Sequence, residues 1–159
     1  MRFQRSLALG VCLGFGLALS GCGGPQSGAP ITEENRDDYA LNEIAEMYRV
    51  YTFDKKKPPT KVADFRPLEQ MSPTGFHAIQ DGSVIVRLGA VMNHVDEGLS
   101  TDPADEVLAY AKDVPTSGGP VLMLNRTVKT MTAEEFKAAK LAGTGDSAGG
   151  EKASKDAGD

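Results

Sequence analysis

Apolar residues recur at helical spacing early in the chain, at Leu41, Ile44, Tyr48 and Tyr51, and Ala45 and Met47 widen the stripe. Glu43, Glu46 and Arg49 take the more polar positions. This period predicts an amphipathic helix from about Asn35 to Phe53. Asn35 is its expected cap, and Asp37 and Asp38 fall in the first turn, where the helix dipole favours negative charge. Lys55-Lys56-Lys57 followed by Pro58-Pro59 marks its end. Thr60 then opens a short turn through Val62 and Ala63 that reads as a small helix docking Phe65 and Leu68.

Strand-like patterning follows. Phe76 to Gln80, Asp81-Gly82 and Ser83 to Val91 read as a hairpin about an Asp-Gly turn. The β-branched run Val84-Ile85-Val86 suggests a central strand buried on both faces at one end. Val107 to Ala111 reads as a strand, Pro115 to Pro120 as a turn, and Val121–Leu124 with Val128–Met131 as a second hairpin around Asn125-Arg126. Thr132-Ala133-Glu134-Glu135 is a capping box with Met131 and Phe136 at the staple positions, so a short helix to about Leu141 is expected. The fold class implied is α+β. An N-terminal amphipathic helix packs on a small antiparallel sheet of about four or five strands, with a short C-terminal helix.

The two ends of the chain have a different character. Met1 to Arg5 is basic, and Ser6 to Leu19 is almost wholly apolar or small. That is the pattern of a secretory signal peptide. The apolar segment falls short of the ~20 residues that a membrane-crossing helix needs, and it contains Gly10, Gly14 and Gly16. Gly23 to Pro30 is small, polar and proline-punctuated, as a flexible tether is. Residues 142–159 hold Gly, Ala, Ser, Asp and Lys with no large apolar side chain, and are expected to be disordered. The expected division is a signal segment at 1–21, a tether at 22–32, a single domain at 33–141 and a tail at 142–159.

Leu19-Ser20-Gly21-Cys22, an aliphatic residue, two small ones and a cysteine, resembles the lipobox of bacterial lipoproteins. The resemblance implies that the Cys22 thiol receives a diacylglyceryl group and that the chain is cut just before it. Two or three acyl chains anchor stably, since each buried methylene contributes ~0.8 kcal/mol and one chain alone is marginal. Gly23 stands where such lipoproteins that stay in the inner membrane tend to carry aspartate, which favours an outer-membrane destination.

Composition sharpens this. The whole chain of 159 residues carries a net charge of −5. Removing residues 1–21 takes away two arginines and no acid, leaving an even more acidic remainder. Nucleic acid, whose binding is driven by clustered Lys and Arg on phosphates, is therefore not an expected partner. Cys12 lies in the signal segment and Cys22 would be alkylated, so the domain has no disulfide or thiolate metal site and depends on its hydrophobic core. Lys55, Lys56, Lys57 and Lys61 form the one basic cluster, best read as a solvated helix end.

Candidate chemistry is sparse. His77 and His94 are the two histidines. His94, Asp96 and Glu97, with Asp102, Asp105 and Glu106 nearby, are weak candidates for a cation site in an acidic loop at 92–106. Their spacing matches no calcium loop and no zincin helix. The serines lack a nucleophile-elbow context, and no Walker loop or GxGxxG is present. No catalytic residue and no cofactor is expected.

Pro58-Pro59-Thr60, Asp81-Gly82, Val107 to Tyr110, Lys112-Asp113, Gly118-Gly119 and Val128 to Phe136 carry a second resemblance, over residues 38–141. In that order they resemble small lipoproteins and secreted domains of planctomycete-type bacteria that look like the globular heads of type II secretion pseudopilins. The resemblance implies a fold and no activity. The chain departs from that pattern in two places. Asn125-Arg126 stands where Asp-Gly is common, and a lipobox replaces the long apolar helix that drives pilus assembly. The expected function is an envelope lipoprotein, anchored through Cys22 and facing the periplasm or exterior, whose non-catalytic head binds an envelope protein or supports envelope structure. The alternative is a small-ligand or metal-ion binding module using the 92–106 loop.

Overall fold

The structure is a computed structural model that describes residues 30–92 and 106–147. Helix α1 runs Arg36–Lys55, followed by a 3-10 helix Val62–Leu68 and helix α2 Pro73–Asp81. Strands β1 Val84–Leu88 and β2 Glu106–Ala111 come next, then a one-turn helix α3 Val114–Ser117. The chain continues through β3 Gly119–Met123, β4 Val128–Met131, helix α4 Ala133–Ala138, and the two-residue strands β5 Lys140–Leu141 and β6 Gly145–Asp146. The sheet order is β4-β3-β2-β1-β6, antiparallel along that path, and β5 lies parallel to the start of β2. The fold is α+β, with α1 packed on an antiparallel sheet.

Both faces of the sheet are buried. Val84, Val86, Leu88, Leu108 and Leu122 face the layer made by α1, the 3-10 helix and α2, and meet Leu41, Ile44, Tyr48, Phe65 and Phe76 there. Ile85, Val107, Tyr110, Val121 and Met123 face the opposite side, where Val114 and Phe136 of the short helices cover them. A register shift between Val107 and Ala109 is a β-bulge. It places two residues against one, so Leu108 and Ala109 both turn toward α1. The run Val84-Ile85-Val86 is therefore buried on both faces, as its β-branched character predicts.

Two expectations are corrected. Residues 76–80 are not a strand: Pro73–Asp81 is helical. Ser72-Pro73 supplies the helix start, and Gly82, at φ +75, is its left-handed C-cap rather than a hairpin turn. Gly75 lets α2 lie close to α1, since a Cβ there would stand 2.9 Å from the Cβ of Glu43 and 3.0 Å from the carbonyl of Ala40.

The second correction concerns the end of the domain. Helix α4 stops at Ala138, and the chain continues as β5 and β6 instead of becoming a tail at 142. Ala142 is 1% exposed. Arg87 fastens this segment, donating from Nε to the Ala142 carbonyl at 2.7 Å and from Nη1 to Asp146 Oδ1 at 2.8 Å. Thr144 N donates to the Leu88 carbonyl at 2.8 Å, and Val86 N donates to Ser147 Oγ at 3.0 Å. Gly143 sits at φ +66 where the segment crosses the end of β1, and a Cβ there would overlap the Leu88 carbonyl.

Other expectations stand. Thr132 Oγ1 accepts from Glu135 N at 3.2 Å and Glu135 Oε2 accepts from Thr132 N at 2.7 Å, which is the capping box. The bond from Thr132 N, helped by the Thr132 hydroxyl, lowers the pKa of the Glu135 carboxyl. Tyr48 is core, and its hydroxyl accepts from Ala90 N at 2.8 Å and donates to the Ala90 carbonyl at 3.1 Å. Burial, only partly offset by that backbone bond, raises the Tyr48 pKa far above the ordinary tyrosine value.

Gly143→Ala is expected to lose about 1–3 kcal/mol from the left-handed backbone alone, and more from the overlap. Chemical denaturation would show the midpoint falling. Tyr48→Phe should cost about 1–3 kcal/mol by leaving Ala90 unpaired. Because its folded pKa is raised, the Tyr48 contribution is complete below the unfolded value of about 10 and is lost as pH climbs toward the folded value. A denaturation series above pH 9 should therefore show a shallower alkaline decline in Tyr48→Phe than in the parent.

Candidate functional surface

The residues singled out in the sequence for chemistry fall mostly elsewhere. Cys22, His94, Asp96 and Glu97 lie outside the described residues, as do Asp102 and Asp105. Met92 and Glu106, the two described ends of the acidic loop, are buried and half-buried. His77 lies exposed on α2 with its ring 6.1 Å from that of Phe76. Among the described residues, no group of three or more His, Cys, Asp or Glu is placed to hold a metal ion. Also among the described residues, no helix is long and apolar enough to cross a membrane.

The feature that stands out is the outer face of α1. Tyr39, Glu43, Glu46, Val50 and Phe53 recur at helical spacing on the side away from the buried stripe. Tyr39 is 43% exposed and Phe53 47%. Met71, 55% exposed, joins them from the link between the 3-10 helix and α2. Two shallow depressions lie side by side here. One is lined by Tyr39, Glu46, Val50 and Met71, the other by Val50, Phe53, Pro67 and Leu68. They share Val50 and together follow about 21 Å of helix, at 1.5 Å per residue, with Asn42, Glu43 and Glu46 set between Tyr39 and Val50.

Charged groups around this surface are held in place. Glu43 Oε2 accepts from Gly75 N at 2.7 Å and so ties α1 to the first turn of α2. Glu46 takes Arg49 Nε at 2.9 Å on one oxygen and has Arg126 Nη1 at 3.9 Å from the other. Arg126 is a buried arginine in the β3–β4 turn, at φ +70. The turn forms without the Asp-Gly pair because Asn125 Oδ1 accepts from Thr127 N at 3.2 Å and Thr127 Oγ1 at 2.7 Å. The Glu46 carboxylate offsets the cost of burying the guanidinium. This contact, between residues far apart in the chain, had no sequence signal.

At the other end, Lys56 Nζ stands 4.1 Å over the Phe53 ring and Lys55 pairs with Asp54 at 2.6 Å. Burial works against ionisation of Asp64, but bonds from Thr60 N, Lys61 N and the Thr60 hydroxyl outweigh it and lower its pKa. Lys55, Lys56, Lys57 and Lys61 are all exposed.

No protein-family model, curated protein or solved structure matches this chain.

Tyr39→Ser and Met71→Ser should each change stability by no more than about 0.5 kcal/mol, as surface substitutions away from caps and cores do. Equilibrium denaturation checks this. A loss of 2 kcal/mol or more would mean that these side chains are held in the fold rather than offered to a partner.

Proposed function

We infer that this chain is a lipoprotein of the bacterial envelope. It is anchored through Cys22 and carries a non-catalytic head that binds another protein or supports envelope structure. The observation that carries the reading is Leu19-Ser20-Gly21-Cys22 at the end of a basic-then-apolar segment. The short apolar run delivers the chain to the export machinery, and the cysteine that follows supplies the thiol for the lipid. Gly23, in place of aspartate, favours the outer membrane.

The surface of the head supports a binding role. Tyr39, Phe53 and Met71 are exposed on one side of the head among charged groups, and apolar side chains gathered in that way mark contact sites. The chain is acidic, and its one basic cluster, Lys55, Lys56, Lys57 and Lys61, is read as a solvated helix end, so nucleic acid is not the partner proposed.

The test is Cys22→Ser in the full chain, followed by incorporation of labelled palmitate and membrane fractionation. The variant is expected to take up no label and to remain uncleaved or leave the membrane fraction. Normal retention of a correctly cut Cys22→Ser protein would overturn the anchor.

A further inference from the structure

We propose that the end of α1 around Phe53, with the basic residues beside it, is a contact for the anionic surface of the bilayer. This rests on the lipoprotein reading, which brings the head to a membrane, and it names the side of the head that meets the lipid.

The argument begins with the depression at this end of α1. Val50, Tyr51, Phe53, Pro67 and Leu68 give it an apolar lining, and Lys55 borders it. Phe53 is 47% exposed, and Lys56 Nζ stands 4.1 Å over its ring. A ring that carries an ammonium group suits the boundary of water and lipid. The ring enters the headgroup layer, and the charge stays among the phosphates.

Charge complementarity selects the occupant. From Phe53 to Leu68 the chain holds Lys55, Lys56, Lys57, Lys61 and Arg66, all exposed, against Asp54 and Asp64. Both acids are engaged. Asp54 pairs with Lys55 at 2.6 Å, and Asp64 Oδ2 accepts from Thr60 N at 2.9 Å and Lys61 N at 3.2 Å. The stretch is therefore basic on an acidic chain. Lysine is depleted where proteins meet each other, whereas clusters of Lys and Arg attract anionic headgroups. From the sequence alone these lysines are a solvated helix end; the ring and the depression beside them come from the fold.

The acids at the start of α1 are too distant to cancel the attraction. Asp37 and Asp38 sit in the first turn, about 26 Å along the helix from Lys55. That is more than two Debye lengths, each ~10 Å at 0.1 M salt. Nor does the patch have to hold the head to the membrane by itself. A lipid on Cys22 does that, and the patch has only to choose an orientation. An extended link from Cys22 to Arg36 spans up to about 46 Å, more than the ~30 Å length of α1, so attachment before one end of α1 lets the other end reach the bilayer.

The chain holds no tryptophan, so one introduced at position 53 is a unique fluorescent reporter. The full-length lipoprotein carrying Phe53→Trp is purified from membranes and inserted into phosphatidylcholine vesicles, with or without phosphatidylglycerol. A second protein carries Tyr39→Trp, where a ring of similar exposure follows Asp37 and Asp38. With brominated acyl chains in the vesicles, position 53 is expected to be quenched several-fold more than position 39, and only where phosphatidylglycerol is present. Lys55→Gln, Lys56→Gln, Lys57→Gln and Lys61→Gln combined should abolish the difference, and so should high salt. Salt leaves the chain unmutated, so a lysine variant that fails to fold cannot mimic the result.

Equal quenching at the two positions, or a difference that persists without phosphatidylglycerol or at high salt, would overturn the contact. Flotation with the vesicles and the mass of the purified chain score the lipid on Cys22 separately. A lipid-bearing chain that floats and leaves position 53 unquenched overturns the contact and keeps the anchor. A chain with no lipid on Cys22 overturns the anchor and the contact with it. A photo-cross-linking residue at position 53 that captures a protein in cells, in place of lipid, would give the surface to that protein and overturn the lipid contact.

Discussion

The end of β1 is the point on which this domain depends. Leu88, Gly89 and Ala90 leave the pairing with β2 inside the protein, where an unpaired amide or carbonyl is costly. Three separate segments supply the missing partners. The Pro59 carbonyl accepts from Gly89 N at 2.8 Å, the Tyr48 hydroxyl serves both polar groups of Ala90, and Thr144 N donates to the Leu88 carbonyl. One short stretch thereby fixes α1 on the sheet, sets the Pro58-Pro59 link and holds the final segment in place. The Tyr48 ring lies 5.9 Å from that of Phe65, which extends the same anchoring into the 3-10 helix. With the inner face of α1 fixed in this way, its outer face is rigidly presented.

The division of charge along α1 has a local cause and a distant consequence. Acids at the start and bases at the end each lie favourably in the helix dipole. That accounts for Asp37, Asp38 and Lys55 without any partner. It does not account for Tyr39 and Phe53 between them, which no dipole requires and which stay 43% and 47% exposed. Glu46 is also set apart, since it binds Arg49 and reaches across to the buried Arg126 of the β3–β4 turn. The outer face is therefore tied to the sheet edge as well as to the core.

What the sequence made legible was local. The buried stripe of α1, the β3–β4 hairpin and the Thr132–Glu135 box are all set by residues within a few positions of each other, and each was readable at that range. Residues 76–80 were misread because Phe76 and Ile79 are too few to fix a period. Asp-Gly also ends a helix as readily as it turns a hairpin. Ser72-Pro73 was the signal that separated the two. The segment from 140 to 147 had no apolar pattern to read. Its structure comes from backbone bonds to β1 and β2 and from Arg87, all contributed by distant parts of the chain. The candidate surface was half visible: the α1 stripe opposite the core is implied by the helical period, but Met71 and Arg126 reach it only through the tertiary fold.

Tethering and small interfaces belong together physically. A head of this size has little room for a large apolar face, because the same apolar residues must fill two cores, one on each side of the sheet. Whatever remains outside is a narrow tract such as that from Tyr39 to Phe53. In dilute solution such a tract binds weakly, since association must first offset the loss of translational and rotational freedom. A lipid anchor on Cys22, on the reading proposed, removes much of that cost beforehand by holding the head in one plane with any partner of the same membrane.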